Sequence, residues 1–174
     1  MHLQDIMNGT DTHSLSNQRR FGALLLFIAI SYSIAAVGGL STAASVKGWY
    51  AEIQKPAWTP PNAVFGPVWT FLYGLLAWVG WRFWSATPST QRTKTLRLFF
   101  LQWGLNALWS PIFFGAQAYL GGAIVIVALV LTVLLLMREG LRVDRVAAWS
   151  LIPYLVWISY ASSLNIGILV LNPS

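Results

Sequence analysis

Long apolar blocks separated by short polar ones dominate this chain. Runs rich in Leu, Ile, Val, Ala, Phe and Trp occupy Phe21–Ala44, Asn62–Trp84, Leu96–Gly115, Tyr119–Arg138 and Val146–Leu171. A helix crosses a bilayer in about 20 residues at about 1.5 Å rise each, so every block is long enough to span. The pattern predicts an all-α membrane protein, a five-transmembrane-helix bundle whose short connections make consecutive helices antiparallel. Residues 1–18 are polar and read as a disordered leader, which leaves 19–174 as one transmembrane domain. Arg19-Arg20, an apolar run and the small residues Ser41–Ala44 have the outline of a signal peptide, but four further spans favour a retained helix.

The blocks differ in character. The fourth has no polar residue between Ala123 and Leu131 and no aromatic after Tyr119, as expected of a lipid-facing helix. In the third, Gln102, Asn106, Trp109 and Phe113 recur at helical spacing and share a face; so do Tyr154, Trp157, Ala161 and Leu164 in the fifth, with Asn165 alongside. Trp69 and Tyr73 stand one turn apart in the second. Counted inward from the outer ends, Trp69 lies about 10 Å deep, Asn106 about 13 Å, Ala161 about 15 Å and Trp157 about 20 Å. These faces can converge in the outer half of the bundle. Packing alone also accounts for such residues: intramembrane amides hydrogen-bond between helices, and Trp81, Trp84 and Trp149 fit an interfacial belt. Pro67, Pro111 and Pro153 fit either kinks of packing or the shaping of a cavity. Gly104 and Ala107, or Gly38-Gly39, offer places for close helix contact.

Composition supports the membrane reading, since 56% of the 174 residues are hydrophobic and only 9% charged. The absence of cysteine excludes disulfides, thiolate metal sites and a cysteine nucleophile. The formal charge of +6 is explained by topology. Arg19, Arg20, Arg82, Arg92, Lys94, Arg97, Arg138, Arg142 and Arg145 fall on one side of the bundle, Lys47 and Lys55 on the other. The positive-inside rule then puts the N-terminus in the cytoplasm and the first loop outside, and leaves no case for nucleic-acid binding. That loop, Lys55-Pro56-Ala57-Trp58-Thr59-Pro60-Pro61, is stiffened by proline and presents Trp58 as an aromatic cover suited to a flat, apolar guest.

Four ordered motifs closely resemble the TspO/MBR family of tryptophan-rich sensory proteins and translocator (peripheral benzodiazepine receptor) proteins. They are Lys55-Pro56-x-Trp58-x-Pro60-Pro61, Phe65-x-x-Val68-Trp69-x-x-Leu72-Tyr73, Gln102-x-x-Leu105-Asn106-x-x-Trp109-Ser110-Pro111-x-Phe113-Phe114 and Pro153-Tyr154-Leu155-x-Trp157, within a likeness running from Trp49-Tyr50 to about Asn165. The resemblance implies a five-helix bundle, often a homodimer, with a cavity under the first loop that binds porphyrin, haem-related tetrapyrroles and benzodiazepine-type ligands. It places pocket residues at Trp58, Trp69, Asn106, Trp109, Tyr154, Trp157 and Ala161, beside Tyr73 from the spacing. It requires no cofactor; porphyrin or haem would be a ligand, and the porphyrin's propionates would stay near Lys47 or Lys55. In some bacterial members, residues matching Trp69 and Trp157 are implicated in light-dependent oxidative breakdown of protoporphyrin. The cholesterol motif that ends the last span of animal members is missing from Leu164–Asn172, which has neither Tyr nor a basic residue.

Three functions follow as expectations: a porphyrin-binding membrane receptor or carrier, a light-dependent porphyrin-degrading enzyme, and a lipid or sterol transporter or accessory subunit. The candidate faces carry no His, Cys or Met in the usual role of haem axial ligand, nor parts for acid–base or nucleophilic catalysis. Similar affinity for metal-free porphyrin and haem is therefore expected.

Overall fold

The computed structural model describes residues 3–173, with side chains described from Asn17 onward apart from that of Ala44. The chain forms α1 (Leu3–Val46), a short α2 (Trp49–Glu52), α3 (Phe65–Ser85), α4 (Thr90–Ser110), α5 (Tyr119–Gly140), a short α6 (Arg145–Trp149) and α7 (Ile152–Leu171). No strand occurs among the described residues. Four segments are long and apolar enough to cross a membrane: Asn17–Ala43, Asn62–Ser85, Tyr119–Gly140 and Arg145–Leu171. α4 has the length but less apolarity, because Arg92, Lys94 and Arg97 lie in its first turns. Residues 3–18 are helical backbone continuous with the rest of α1. No proline interrupts residues 3–46, and extending a helix is far cheaper than nucleating one. Met1, His2, Ser174 and the side chain of His13 lie outside the described residues.

α1 packs on α3 and α4, α4 on α5, and α5 on α7. The core between them is formed by Phe27, Leu72, Leu76, Phe83, Phe99, Leu136, Tyr154 and Ile158. Gly80 allows α3 to approach α1 and α4: a Cβ there would come within 2.5 Å of the Phe99 ring and 2.6 Å of the Phe27 ring. Among the glycines expected to allow close contact, Gly39 and Gly104 have nothing within 4 Å of a notional Cβ, whereas Gly38 faces Ser110 Oγ at 3.3 Å.

The prolines fall where a missing N–H does little harm. Pro67 lies in the first turn of α3, and Pro153 opens α7. Pro153 has no N–H for the Trp149 carbonyl, so the fifth apolar block divides at Ser150-Leu151 into α6 and α7 instead of forming one helix. Pro111 begins a single π-helical turn, Pro111–Gly115, at the end of α4. There Ala116 N–H bonds back to the Pro111 carbonyl at 2.8 Å, while the Phe114 carbonyl accepts from Ser45 Oγ at 2.9 Å and Trp49 Nε1 at 3.3 Å. A π turn alters which carbonyls remain unpaired, and here α1 and α2 supply the partner.

Polar ties mark the two ends of the bundle. At the basic end Trp81 Nε1 donates to the Arg20 carbonyl at 2.9 Å, and Glu139 accepts from Gln91 at 2.6 Å and pairs with Lys94 at 3.0 Å. Arg82 Nε donates to Asp144 at 2.7 Å, and the other Asp144 oxygen caps α6 through the Ala147 N–H at 3.1 Å. Burial would raise the Asp144 carboxyl, but the hydrogen bonds from Arg82 and Ala147 outweigh it and hold the group below the usual carboxylate value. This contribution is fully present above the unfolded-state pKa and is lost only as pH falls through the depressed native one. Asp144→Ala should remove about 1–2 kcal/mol at neutral pH through the lost cap and ion pair. The thermal unfolding midpoint in detergent should fall by a few degrees, and the deficit relative to wild type should shrink in strong acid.

Candidate functional site

A cavity of about 480 Å³ lies at the opposite end, between α1, α3 and α4. α1 contributes small residues, Ala35, Gly38, Gly39, Thr42 and Ala43, so its wall is thin. α3 contributes Phe65, Trp69, Thr70 and Tyr73, and α4 contributes Asn106, Trp109 and Ser110, with Phe114 beyond it. The hydroxyls of Thr42 and Thr70 bond back to Gly38 and Gly66 of their own helices at 2.8 and 2.9 Å. Those hydroxyls therefore add little polarity to the wall, which is aromatic and apolar apart from Ser110, Lys47 at its edge, and the pair Tyr73 and Asn106.

Those two groups begin a buried chain. Tyr73 Oη donates to Asn106 Oδ1 at 2.6 Å, Asn106 Nδ2 donates to Tyr154 Oη at 2.8 Å, and Tyr154 Oη donates to Gln102 Oε1 at 3.0 Å. The Asn106 amide thus finds its partners within the protein, from helices α3 and α7. Each interhelical bond of this kind contributes about 0.6–2 kcal/mol in a membrane interior. Trp109 Nε1 donates to Asn165 Oδ1 at 3.4 Å, and its ring stacks on Phe113 at 5.7 Å and 10°.

Of the residues expected to bind a ligand, Trp69, Tyr73, Asn106 and Trp109 line the cavity. Tyr154 is wholly buried behind Asn106, and Ala161 is buried on α7. Trp157 touches Trp69 edge-to-face at 6.5 Å and Phe65 at 5.7 Å, which fills the space between α3 and α7. The space therefore opens toward α1, where side chains are smallest, and not toward α7. Sequence reasoning missed the α1 wall; its signal was the predominance of Ala, Gly, Ser and Thr from Ala35 to Ser45 within an otherwise bulky span.

Trp58 also stands apart from the cavity lining. It is 57% exposed and seated on α7, where its indole donates to Ser163 Oγ at 3.3 Å and its carbonyl accepts from Tyr160 Oη at 2.6 Å. Gly167 permits this seat, since a Cβ there would approach Pro56 to 2.5 Å. Asn172 clasps the same loop by accepting from the Gln54 N–H at 3.0 Å and donating to the Gln54 carbonyl at 2.8 Å. Asn172→Ala should release the loop with little change in overall stability. Amide exchange at residues 53–59 should rise by about tenfold, following the loss of roughly two hydrogen bonds of about 0.5–1.5 kcal/mol each.

The two lysines near this end differ. The Lys55 ammonium donates to the carbonyls of Tyr50 at 2.6 Å, Ala51 at 3.2 Å and Ile53 at 3.3 Å, and lies 5.0 Å from the Tyr50 ring centre. It completes the end of α2 instead of facing a guest. Burial pushes the Tyr50 phenol up, so that ring stays neutral. Lys47 lines the cavity and forms no ion pair among the described residues.

The TspO/MBR family profile matches residues 26–171, from within α1 to the end of α7. The chain belongs to the TspO/MBR family. A tryptophan-rich protein TspO of Archaeoglobus fulgidus is 41% identical over 155 residues, covering 86% of this chain and 94% of the relative. A tryptophan-rich sensory protein of Cereibacter sphaeroides is 33% identical over 124 residues, 71% of this chain and 77% of the relative. The human translocator protein is 37% identical over 120 residues, 67% of this chain and 70% of the relative. The apolar helices and membership of the TspO/MBR family together fit an integral, multi-pass membrane protein.

Proposed function

We propose that the chain is a five-span membrane receptor or carrier for porphyrins and related tetrapyrroles, with α4 as its third span. The observation that carries this reading is the cavity of about 480 Å³, with aromatic walls from α3 and α4 and the Lys47 ammonium at its edge. Its volume lies in the range of small-molecule sites, about 300–1,000 Å³, and flat aromatic walls suit a planar guest. The porphyrin plane packs against Trp69 and Trp109, and a propionate reaches Lys47 in preference to the committed Lys55. The basic end lies in the cytoplasm by the positive-inside rule, so the cavity opens near the outer face. The relatives' names, sensory protein and translocator protein, accord with either sensing or carriage.

A tryptophan-quenching titration with protoporphyrin in nanodiscs, in darkness, tests the reading. Saturable quenching, of similar affinity for haem, is expected; absence of saturation overturns it. The Trp69–Trp157 contact of 6.5 Å favours one alternative, light-dependent oxidation of the guest through paired indoles. Illumination of the same samples tests it, because a product formed equally by Trp69→Phe and Trp157→Phe variants removes the indoles from the chemistry.

A further inference from the structure

The chain of side chains behind the cavity ends on an unpaired group. Gln102 is fully buried, its Oε1 accepts from Tyr154, and its Nε2 has no hydrogen-bond partner among the described residues. A buried unpaired N–H is costly, and an amide at the end of a chain of hydroxyls and amides has another arrangement available. The terminal amides of Asn and Gln are close to symmetric in shape, so a half-turn exchanges donor for acceptor without displacing a carbon.

In the arrangement observed, every proton points from the cavity toward Gln102. Tyr73 donates inward to Asn106, so its oxygen meets the cavity as an acceptor. Half-turns of Asn106 and Gln102 reverse all three bonds. Gln102 Nε2 then donates to Tyr154, Tyr154 donates to Asn106 Oδ1, Asn106 Nδ2 donates to Tyr73, and the Tyr73 proton turns to the cavity. The number of hydrogen bonds within the protein is unchanged, and the unpaired group at Gln102 becomes a carbonyl in place of an amide.

We propose that Gln102, a residue outside the cavity wall, determines whether the Tyr73 hydroxyl accepts from or donates to the guest. The chain acts as a reversible relay, so the cavity takes flat guests presenting either an N–H or a C=O at Tyr73. This specificity role rests on the cavity being the ligand site. Gln102→Leu removes the far end. The observed direction would then leave the Tyr154 hydroxyl with no acceptor, so the relay settles in reverse and Tyr73 becomes a donor.

The test uses two flat tricyclic probes of similar size, carbazole with a ring N–H and fluorenone with a ring C=O, titrated in nanodiscs. Wild type should bind both. Gln102→Leu should shift the ratio of their affinities by about tenfold toward fluorenone, and the shift should vanish when Tyr73→Phe is added. An unchanged ratio with both probes bound overturns the relay alone, whereas binding of neither probe to wild type overturns the cavity reading with it. Infrared spectra of wild type with isotopically labelled tyrosine provide a measurement independent of whether the variant folds. The Tyr C–O stretch should move in opposite directions with the two probes, and movement in the same direction overturns the proposal.

Discussion

Gly39→Phe should abolish saturable protoporphyrin binding and leave the bundle as stable as wild type, or more so. Gly39 lines the cavity from α1, and nothing lies within 4 Å of the position its Cβ would take. The new ring therefore enters the empty space instead of displacing a neighbour. A helix-interior glycine costs about 0.5–1 kcal/mol relative to alanine, and phenylalanine recovers part of that, so the substitution also removes a local weakness. Binding should weaken by more than about tenfold, because an aromatic ring occupies volume the guest needs and desolvates no polar group in compensation. The dark quenching titration measures the first effect, and the unfolding midpoint in detergent the second. Trp58→Ala, by contrast, should alter affinity little, since that ring sits on α7. Unaltered affinity in Gly39→Phe combined with a large loss in Trp58→Ala would place the guest between the loop and α7.

Gly80→Val should be strongly destabilising. The required Cβ falls 2.5 Å from Phe99 Cζ and 2.6 Å from Phe27 Cε1, and both rings are buried. Neither ring has free volume to move into: Phe99 packs against Trp103 with centroids 4.8 Å apart, and Phe27 against the same indole at 5.7 Å. Overpacking of this kind costs about 3 kcal/mol. In a protein of this size that lowers the unfolding midpoint by about 6–12 °C. Gly104→Val, where a Cβ meets nothing within 4 Å, should change the midpoint far less and so separates steric crowding from the loss of glycine itself.

The sequence carried some of this and not the rest, for physical reasons. Helical spacing placed Gln102, Asn106 and Trp109 on one face, and in the structure all three make contacts directed into the bundle. Periodicity reports direction, and direction was enough there. It carries no information on volume, so the aromatic and polar positions with the right spacing looked like walls whether or not space lay before them. Tyr154 and Trp157 point inward as expected and fill the space they face. The space lies instead beside Gly38, Gly39 and Thr42, where the small side chains read as a place for close helix contact and not as a cavity wall. Trp58 illustrates a different limit. Its position depends on Gln54 meeting Asn172, 118 residues away in sequence, and no local pattern encodes that pairing. The division of the last block into α6 and α7 was within reach, since Pro153 marks it. The length of that block, long enough for a single span, hid it.

The π-helical turn at Pro111–Gly115 has a consequence for how this chain tolerates changes of length. A π turn holds one residue more than the α turn it replaces. Deleting a single residue there would turn it into an ordinary α turn and leave the flanking helix close to its former phase, but would change which carbonyls lack a helical partner. The Phe114 carbonyl would no longer be the one left for Ser45 and Trp49, which are the groups that tether the end of α1 beside the cavity. The surplus residue thus works as a spacer whose removal is read across the bundle: an insertion or deletion in one helix hairpin would set the breadth of an opening walled by another helix.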